Sequence, residues 1–216
     1  MGSERSRLLE ILKQTSYRES ETASFHLASG ILSKYYIDCK YLLSYPEART
    51  ILASLIFELI RDERTIDSIG GLELGAYPIA TSVSDKIYTE TGQVVRAFVV
   101  RKDRKKHGIE TLIAGDGRMG DRVLVVDDVI TSGSSAIQAI ETVRQAGMTV
   151  DHVVALVDRE ESNGRKNIEA RGVKFDALFS LTDLVNFDGH GDENADSDSG
   201  KKRAVRSQSS RSATIS

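Results

Sequence analysis

One segment limits the possible folds more than any other: Val123 to Gly133, VLVVDDVITSG, an apolar run that meets two adjacent aspartates and then a hydroxyl-rich turn with a glycine. A strand whose side chains are apolar on both faces must be covered on both faces, so it belongs inside a sheet with helices above and below. The remaining chain supplies those partners. Leu8, Leu9, Ile11 and Leu12 predict an amphipathic helix beginning near Ser3, and residues 24 to 38 read as a hairpin. Ile51, Leu52, Leu55, Ile56, Leu59 and Ile60 recur at helical spacing, which predicts a helix over residues 46 to 62 with one buried face. Beyond it the pattern alternates: a strand at TIDSIGG, a helix over about 75 to 90, a strand at QVVRAFVV and a polar loop. The strand RVLVVDD, a helix over 134 to 145, the strand TVDHVVALVD, a helix near 162 to 171 and the strand VKFDALFSL complete it. Alternation of this kind indicates an α/β fold, a mainly parallel sheet flanked by helices. Such sheets bind ligands at the carboxyl ends of their strands.

With 216 residues, the chain suits one generous domain with appendages. Apolar residues at 40% and charged residues at 28% exclude disorder throughout. A formal net charge of −3 gives no global attraction to polyanions, so nucleic acid is not an expected partner. The lone Cys39 has no Cys or His at metal-ligand spacing and reads as a structural thiol. No stretch reaches the roughly 20 apolar residues that span a bilayer, and the charged start lacks a signal-peptide core. A cytoplasmic protein with no membrane partner is expected. From about Asp188 bulky apolar residues almost vanish, so residues 188 to 216 read as a disordered tail after a domain of residues 1 to 187.

The chemistry concentrates where the apolar strand ends. Asp127 and Asp128 can accept hydrogen bonds from two vicinal hydroxyls, as a ribose offers, or bind a hydrated Mg ion. Thr131, Ser132, Gly133, Ser134 and Ser135 open the next helix, where free backbone N–H groups and hydroxyls make a cradle for a phosphate dianion. A ribose 5-phosphate meets both requirements. VLVVDDVITSGSS resembles the phosphoribosyl pyrophosphate motif of the type I phosphoribosyltransferases: four apolar residues, two acids and a Thr-rich, Gly-containing loop. In that family the two acids hold the ribose hydroxyls and the loop holds the 5-phosphate. The resemblance assigns these roles to Asp127, Asp128 and residues 131 to 135.

Three further segments concern the base. Arg101 to Gly108, RKDRKKHG, resembles the catalytic loop RKxxKxHG of the orotate phosphoribosyltransferases through Arg101, Lys102, Lys105, His107 and Gly108. In that family the loop binds pyrophosphate and enters the neighbouring subunit's site, which implies a homodimer with shared active sites. Residues 25 to 40 resemble the family's FxLxSGxxSxYYxD region, which implies orotate contacts near Tyr35 and Tyr36. Val157-Asp158-Arg159 ends a strand where the family places an arginine on the orotate carboxylate, and a guanidinium suits a planar carboxylate through two parallel hydrogen bonds.

The resemblance covers about residues 5 to 187 and implies the type I phosphoribosyltransferase fold with a small N-terminal hood over residues 1 to 45. It implies Mg2+ as cofactor, held mainly through phosphoribosyl pyrophosphate and otherwise by Asp127 and Asp128. Lys105, His107, Asp127 and Asp128 are the candidate catalytic residues. Arg101 and Lys102 join them in binding phosphoribosyl pyrophosphate, and Thr131 joins Arg159 in binding orotate. The implied activity makes orotidine 5′-monophosphate and pyrophosphate in UMP biosynthesis. Some relatives carry Lys where Ala28 and Gly75 stand here, and basic residues are usual where this chain has Ile31 and Leu32. Two rivals share the acid-and-cradle segment: a purine phosphoribosyltransferase, and a non-catalytic nucleotide-sensing or RNA-binding regulator.

Overall fold

A computed structural model describes residues 2–27, 30–62, 65–102 and 112–187. Lys105, His107, Ala28 and the segment from 188 onward therefore lie outside the described residues. In chain order the elements begin with α1 (Gly2–Ser16), β1 (Tyr17–Glu19), β2 (Phe25–His26), β3 (Leu32–Ser33), β4 (Tyr35–Ile37), α2 (Cys39–Leu43) and α3 (Pro46–Leu59). There follow β5 (Ser68–Gly70), α4 (Ala76–Thr91), β6 (Arg96–Val100), β7 (Ile113–Gly115), β8 (Arg122–Ile130) and α5 (Ser134–Gln145). The series closes with β9 (Thr149–Asp158), α6 (Gly164–Glu169), β10 (Lys174–Ser180) and α7 (Leu181–Val185).

Six strands form the central sheet in the order β10-β9-β8-β5-β6-β7. Each neighbouring pair is parallel except β6 with the edge strand β7, which runs antiparallel. The apolar strands divide their side chains between two cores, as a period of two requires. Leu124, Val126, Val154 and Leu156 face the layer built by α1, α2, α3 and α4. Val123, Val125, Val153 and Ala155 face α5 and α6. Both sides are thus dry, which is why β8 and β9 read as apolar runs rather than alternating ones.

The expected hairpin exists as the β2–β3 pair, with Phe25 opposite Ser33. Its continuation is different: β4 pairs antiparallel with β1, so this N-terminal region forms two small ribbons beside the main sheet. The polar loop expected between the strands at 93–100 and 122–128 contains β7, and the short helices α2 and α7 are additional. Cys39 is buried and unbonded, and burial pushes its thiol well above the usual range, as a structural role requires. Among the described residues no helix is long and apolar enough to cross a membrane.

At the amino ends of the strands, buried Asp121 ties three strands together. It accepts from Ser68 Oγ at 3.0 Å, from Arg96 Nη2 at 2.7 Å and from its neighbour Arg118 N at 2.9 Å. At the other end, the connection after β5 runs against β8. A Cβ on Gly71 would lie 2.0 Å from the Val126 carbonyl oxygen and 2.7 Å from Ala76 Cβ. Only glycine permits that approach. Gly71→Ala is expected to lower unfolding free energy by about 2–3 kcal/mol through overpacking. Urea denaturation checks this, with a lower midpoint at unchanged slope as the expected result.

Candidate active site

β8 carries its two acids to the carboxyl end of the sheet. Asp127 is 4% exposed, and its Oδ1 accepts from Asp128 N at 2.9 Å. Its Oδ2 is buried with no hydrogen-bond partner among the described residues. Burial, reinforced by the adjacent Asp128 charge, holds the Asp127 carboxyl well above the usual carboxylate range. A buried acceptor left unsatisfied is costly, so this oxygen is suited to take a donor from an entering ligand. Asp128 is partly exposed and lies against Gly75, the residue preceding α4; a Cβ at Gly75 would sit 2.3 Å from Asp128 Cγ. The bare glycine leaves room for this acid.

Beyond Ile130 the chain turns into α5. The N-cap is Gly133, at φ 79°, and no side chain caps the helix, so the first-turn amides stay available. A Cβ on Gly133 would also meet Ile168 Cγ1 at 2.9 Å and Gly164 O at 3.1 Å. A cavity of about 120 Å³ is lined by Asp127, Val129, Ile130 and the whole Thr131–Ser135 turn. Ser132 Oγ donates to Ser134 Oγ at 3.3 Å. Asn167 Nδ2 donates to the Ser132 carbonyl at 2.9 Å and steadies the turn from α6. Amides at a helix start together with hydroxyls make an anion site, and the acids at its mouth suit a polyol. A larger hollow of about 470 Å³ lies at the amino ends of the strands, beside Arg122, Asp151 and His152, away from these groups.

The polar loop begins at the carboxyl end of β6. Arg101 N donates to Leu112 O at 2.8 Å, and Lys102 N donates to Glu73 Oε1 at 2.9 Å. Gln138 Nε2 donates to the Lys102 carbonyl at 3.4 Å, which ties the loop's root to α5. Neither Glu73, Gln138 nor Asn167 stood out in the sequence; each acts through partners distant along the chain.

Arg159 follows β9, and its backbone N–H donates to Ile130 O at 2.9 Å, which places it beside the cradle. Its side chain is 2% exposed. Nε donates to Glu161 Oε2 at 2.9 Å, and Nη2 donates to Ser33 Oγ and to the Tyr35 carbonyl, each at 3.1 Å. The Tyr35 ring stacks on Tyr17, with centroids 6.0 Å apart, while the Tyr36 ring meets Phe25 at 5.6 Å. Tyr35 thus reaches Arg159 through its backbone. Ile31 and Leu32 are 41% and 50% exposed on the β2–β3 hairpin. The structure brings Asp127, Asp128, Thr131 to Ser135 and Arg159 to one end of the sheet.

Comparison with known proteins gives the same assignment. The model of the phosphoribosyl transferase domain matches residues 40–180. An orotate phosphoribosyltransferase of Aquifex aeolicus is 40% identical over 182 residues, 84% of this chain and 98% of that protein. The crystal structure of Mycobacterium tuberculosis orotate phosphoribosyltransferase with Fe(III) dicitrate superposes with a TM-score of 0.71 at 35% identity, covering 84% of this chain and 98% of that one. The same enzyme in complex with 5-phospho-α-D-ribosyl 1-diphosphate gives 0.67 at 30% identity, covering 85% and 93%. With its acid pair, its helix-start cradle and these similarities over nearly the whole length of its relatives, the chain belongs to the orotate phosphoribosyltransferases of the phosphoribosyl transferase domain family.

Proposed function

We propose that the chain transfers the phosphoribosyl group of phosphoribosyl pyrophosphate to N1 of orotate, releasing pyrophosphate and forming orotidine 5′-monophosphate for UMP biosynthesis. The observation that carries this reading is the pairing of two sites on neighbouring strands. Asp127, with its unsatisfied Oδ2, opens onto the Thr131–Ser135 cradle, and the buried guanidinium of Arg159 follows the next strand. A ribose phosphate fits the first and a carboxylated base fits the second.

In this mechanism the α5 amides and the hydroxyls of Thr131, Ser132, Ser134 and Ser135 hold the 5-phosphate, while Asp127 and Asp128 accept from the ribose hydroxyls. Arg159 orients orotate through its carboxylate. The bond from the anomeric carbon to pyrophosphate breaks as N1 bonds to the opposite face, with inversion. No protein nucleophile is required, since the main demand is to stabilise the departing charge and exclude water. Arg101 and Lys102 steer and clamp pyrophosphate, and Lys105 and His107 stabilise or protonate it. The buried, unpartnered acceptor on Asp127 and the neighbouring Asp128 carboxylate fit a hydrated Mg2+. When bound, Mg2+ supplies charge neutralisation of the pyrophosphate.

The enzyme works as a homodimer, in which loop cations enter the neighbouring site, and in the cytoplasm, with its soluble substrates. Leu74 and Tyr77, exposed beside Gly75, offer apolar surface to the second copy. In the presence of phosphoribosyl pyrophosphate and Mg2+, orotate absorbance is expected to fall, with no turnover of hypoxanthine or uracil. Turnover of a purine, or of no base at all, would falsify the assignment. Lys105→Ala is expected to lower kcat on the order of 100-fold, with a much smaller change in the KM for orotate. Unchanged turnover would remove the loop from the mechanism.

The state of Asp127 gives a second test. Its folded-state pKa is raised, so ionisation costs stability; the cost is absent below the ordinary carboxylate pKa, grows as pH rises from there toward the folded value, and levels off above it. Asp127→Asn is therefore expected to lose activity yet gain about 1–2 kcal/mol of stability at pH 7. The gain should vanish below about pH 4. Melting curves at both pH values check it, and equal stability of parent and variant at pH 7 would contradict the argument.

A further inference from the structure

Arg159 poses a problem when no base is bound. A guanidinium only 2% exposed is costly without a counter-charge, because burial removes the water that would solvate it. The structure meets the need from within the chain. Glu161 Oε2 accepts from Arg159 Nε at 2.9 Å, and Glu161 Oε1 accepts from Ser33 Oγ at 3.2 Å. Ser33 Oγ in turn accepts from Arg159 Nη2 at 3.1 Å. One carboxylate therefore bridges the arginine and the serine, with one oxygen on each, and an acidic group already stands against the guanidinium.

The backbone around Glu161 is unusual. Glu160, Ser162 and Asn163 have φ of 55°, 55° and 57°, a left-handed conformation uncommon for residues with side chains. The turn is fastened on either side of Glu161. Glu160 N donates to Asp158 Oδ1 at 2.9 Å, and the Glu160 carboxylate accepts from Thr182 N at 3.2 Å. Asn167 Nδ2 donates to Ser162 O at 3.4 Å. The Glu161 side chain is 27% exposed, so it has solvent to turn into while the turn itself stays in place.

We propose that Glu161 is a placeholder carboxylate and a specificity determinant: it occupies the face of Arg159 that a substrate carboxylate takes, and it rotates out as an anionic base enters. This rests on the reading of Arg159 as the orotate-carboxylate residue. Two carboxylates facing one guanidinium repel each other, so the incoming group must displace Glu161 rather than join it. A neutral base brings no charge with which to do so. Displacement also frees the Ser33 hydroxyl for the entering ligand.

The test is Glu161→Gln, which keeps the shape and the acceptor oxygen but removes the competing charge. At saturating phosphoribosyl pyrophosphate and Mg2+, the KM for orotate is expected to fall about three- to fivefold, the size of one partly exposed charge pair. The inhibition constant of uracil, which has no carboxylate, should stay at the parental value. An unchanged or higher KM for orotate in E161Q would overturn the proposal, as would an equal gain for uracil. Arg159→Gln separates this from the reading beneath it. If R159Q loses orotate binding while E161Q gains none, only the placeholder is wrong; if R159Q binds orotate as the parent does, both are.

Discussion

The parallel register of β8 on β9 is the constraint from which the site follows. Asp127 lies opposite Ala155 and Ile130 opposite Asp158, so the β8 strand reaches its turn where β9 reaches Arg159. A shift of one residue would exchange the two faces of the strand, sending Leu124 and Val126 into the wrong core and turning Asp127 away from its cavity. The register is in turn enforced by burial on both faces, since Val123 and Val125 pack on one side and Leu124 and Val126 on the other. Core packing and the placement of chemistry are here one requirement.

Around this frame, small residues allow charges to sit where an ordinary core would exclude them. Gly75 yields space to the Asp128 carboxylate, and Gly133 lets the chain turn against Ile168 as it enters α5. Asp127 remains buried with an unsatisfied oxygen, a local conflict that general packing would not tolerate. Arg159 presents the opposite case, because its buried charge is answered within the protein by Glu161, Ser33 and Tyr35. The two halves of the site thus differ: among the described residues Asp127 Oδ2 has no partner, whereas the Arg159 guanidinium has three.

Much of this was legible in the residues. The helix over 134 to 145 and the strand over 149 to 158 have the bounds that their patterns predicted, because long apolar periodicity and a glycine at the helix entrance mark them plainly. The α/β class followed from the same alternation. Shorter elements did not show: Ile113–Gly115 has three residues and Cys39–Leu43 five, too few for a period to register. Partners remote in sequence were equally hidden. Ser33 and Arg159 stand 126 residues apart, and nothing local announces that one will hold the other, or that Glu161 will bridge them. Nothing beside Arg159 in the sequence announces its burial, which comes with the contacts that Ser33 and Tyr35 of the N-terminal region make with it.

The antiparallel edge strand has an evolutionary consequence. Because β7 returns along β6, and Arg101 N bonds to Leu112 O at 2.8 Å, the chain leaves and re-enters the sheet through a single doorway. That doorway is closed by backbone atoms, so it does not depend on which side chains stand beyond it. Selection on the side chains there can therefore act on chemistry alone, while the strands that carry them are inherited as an unaltered frame.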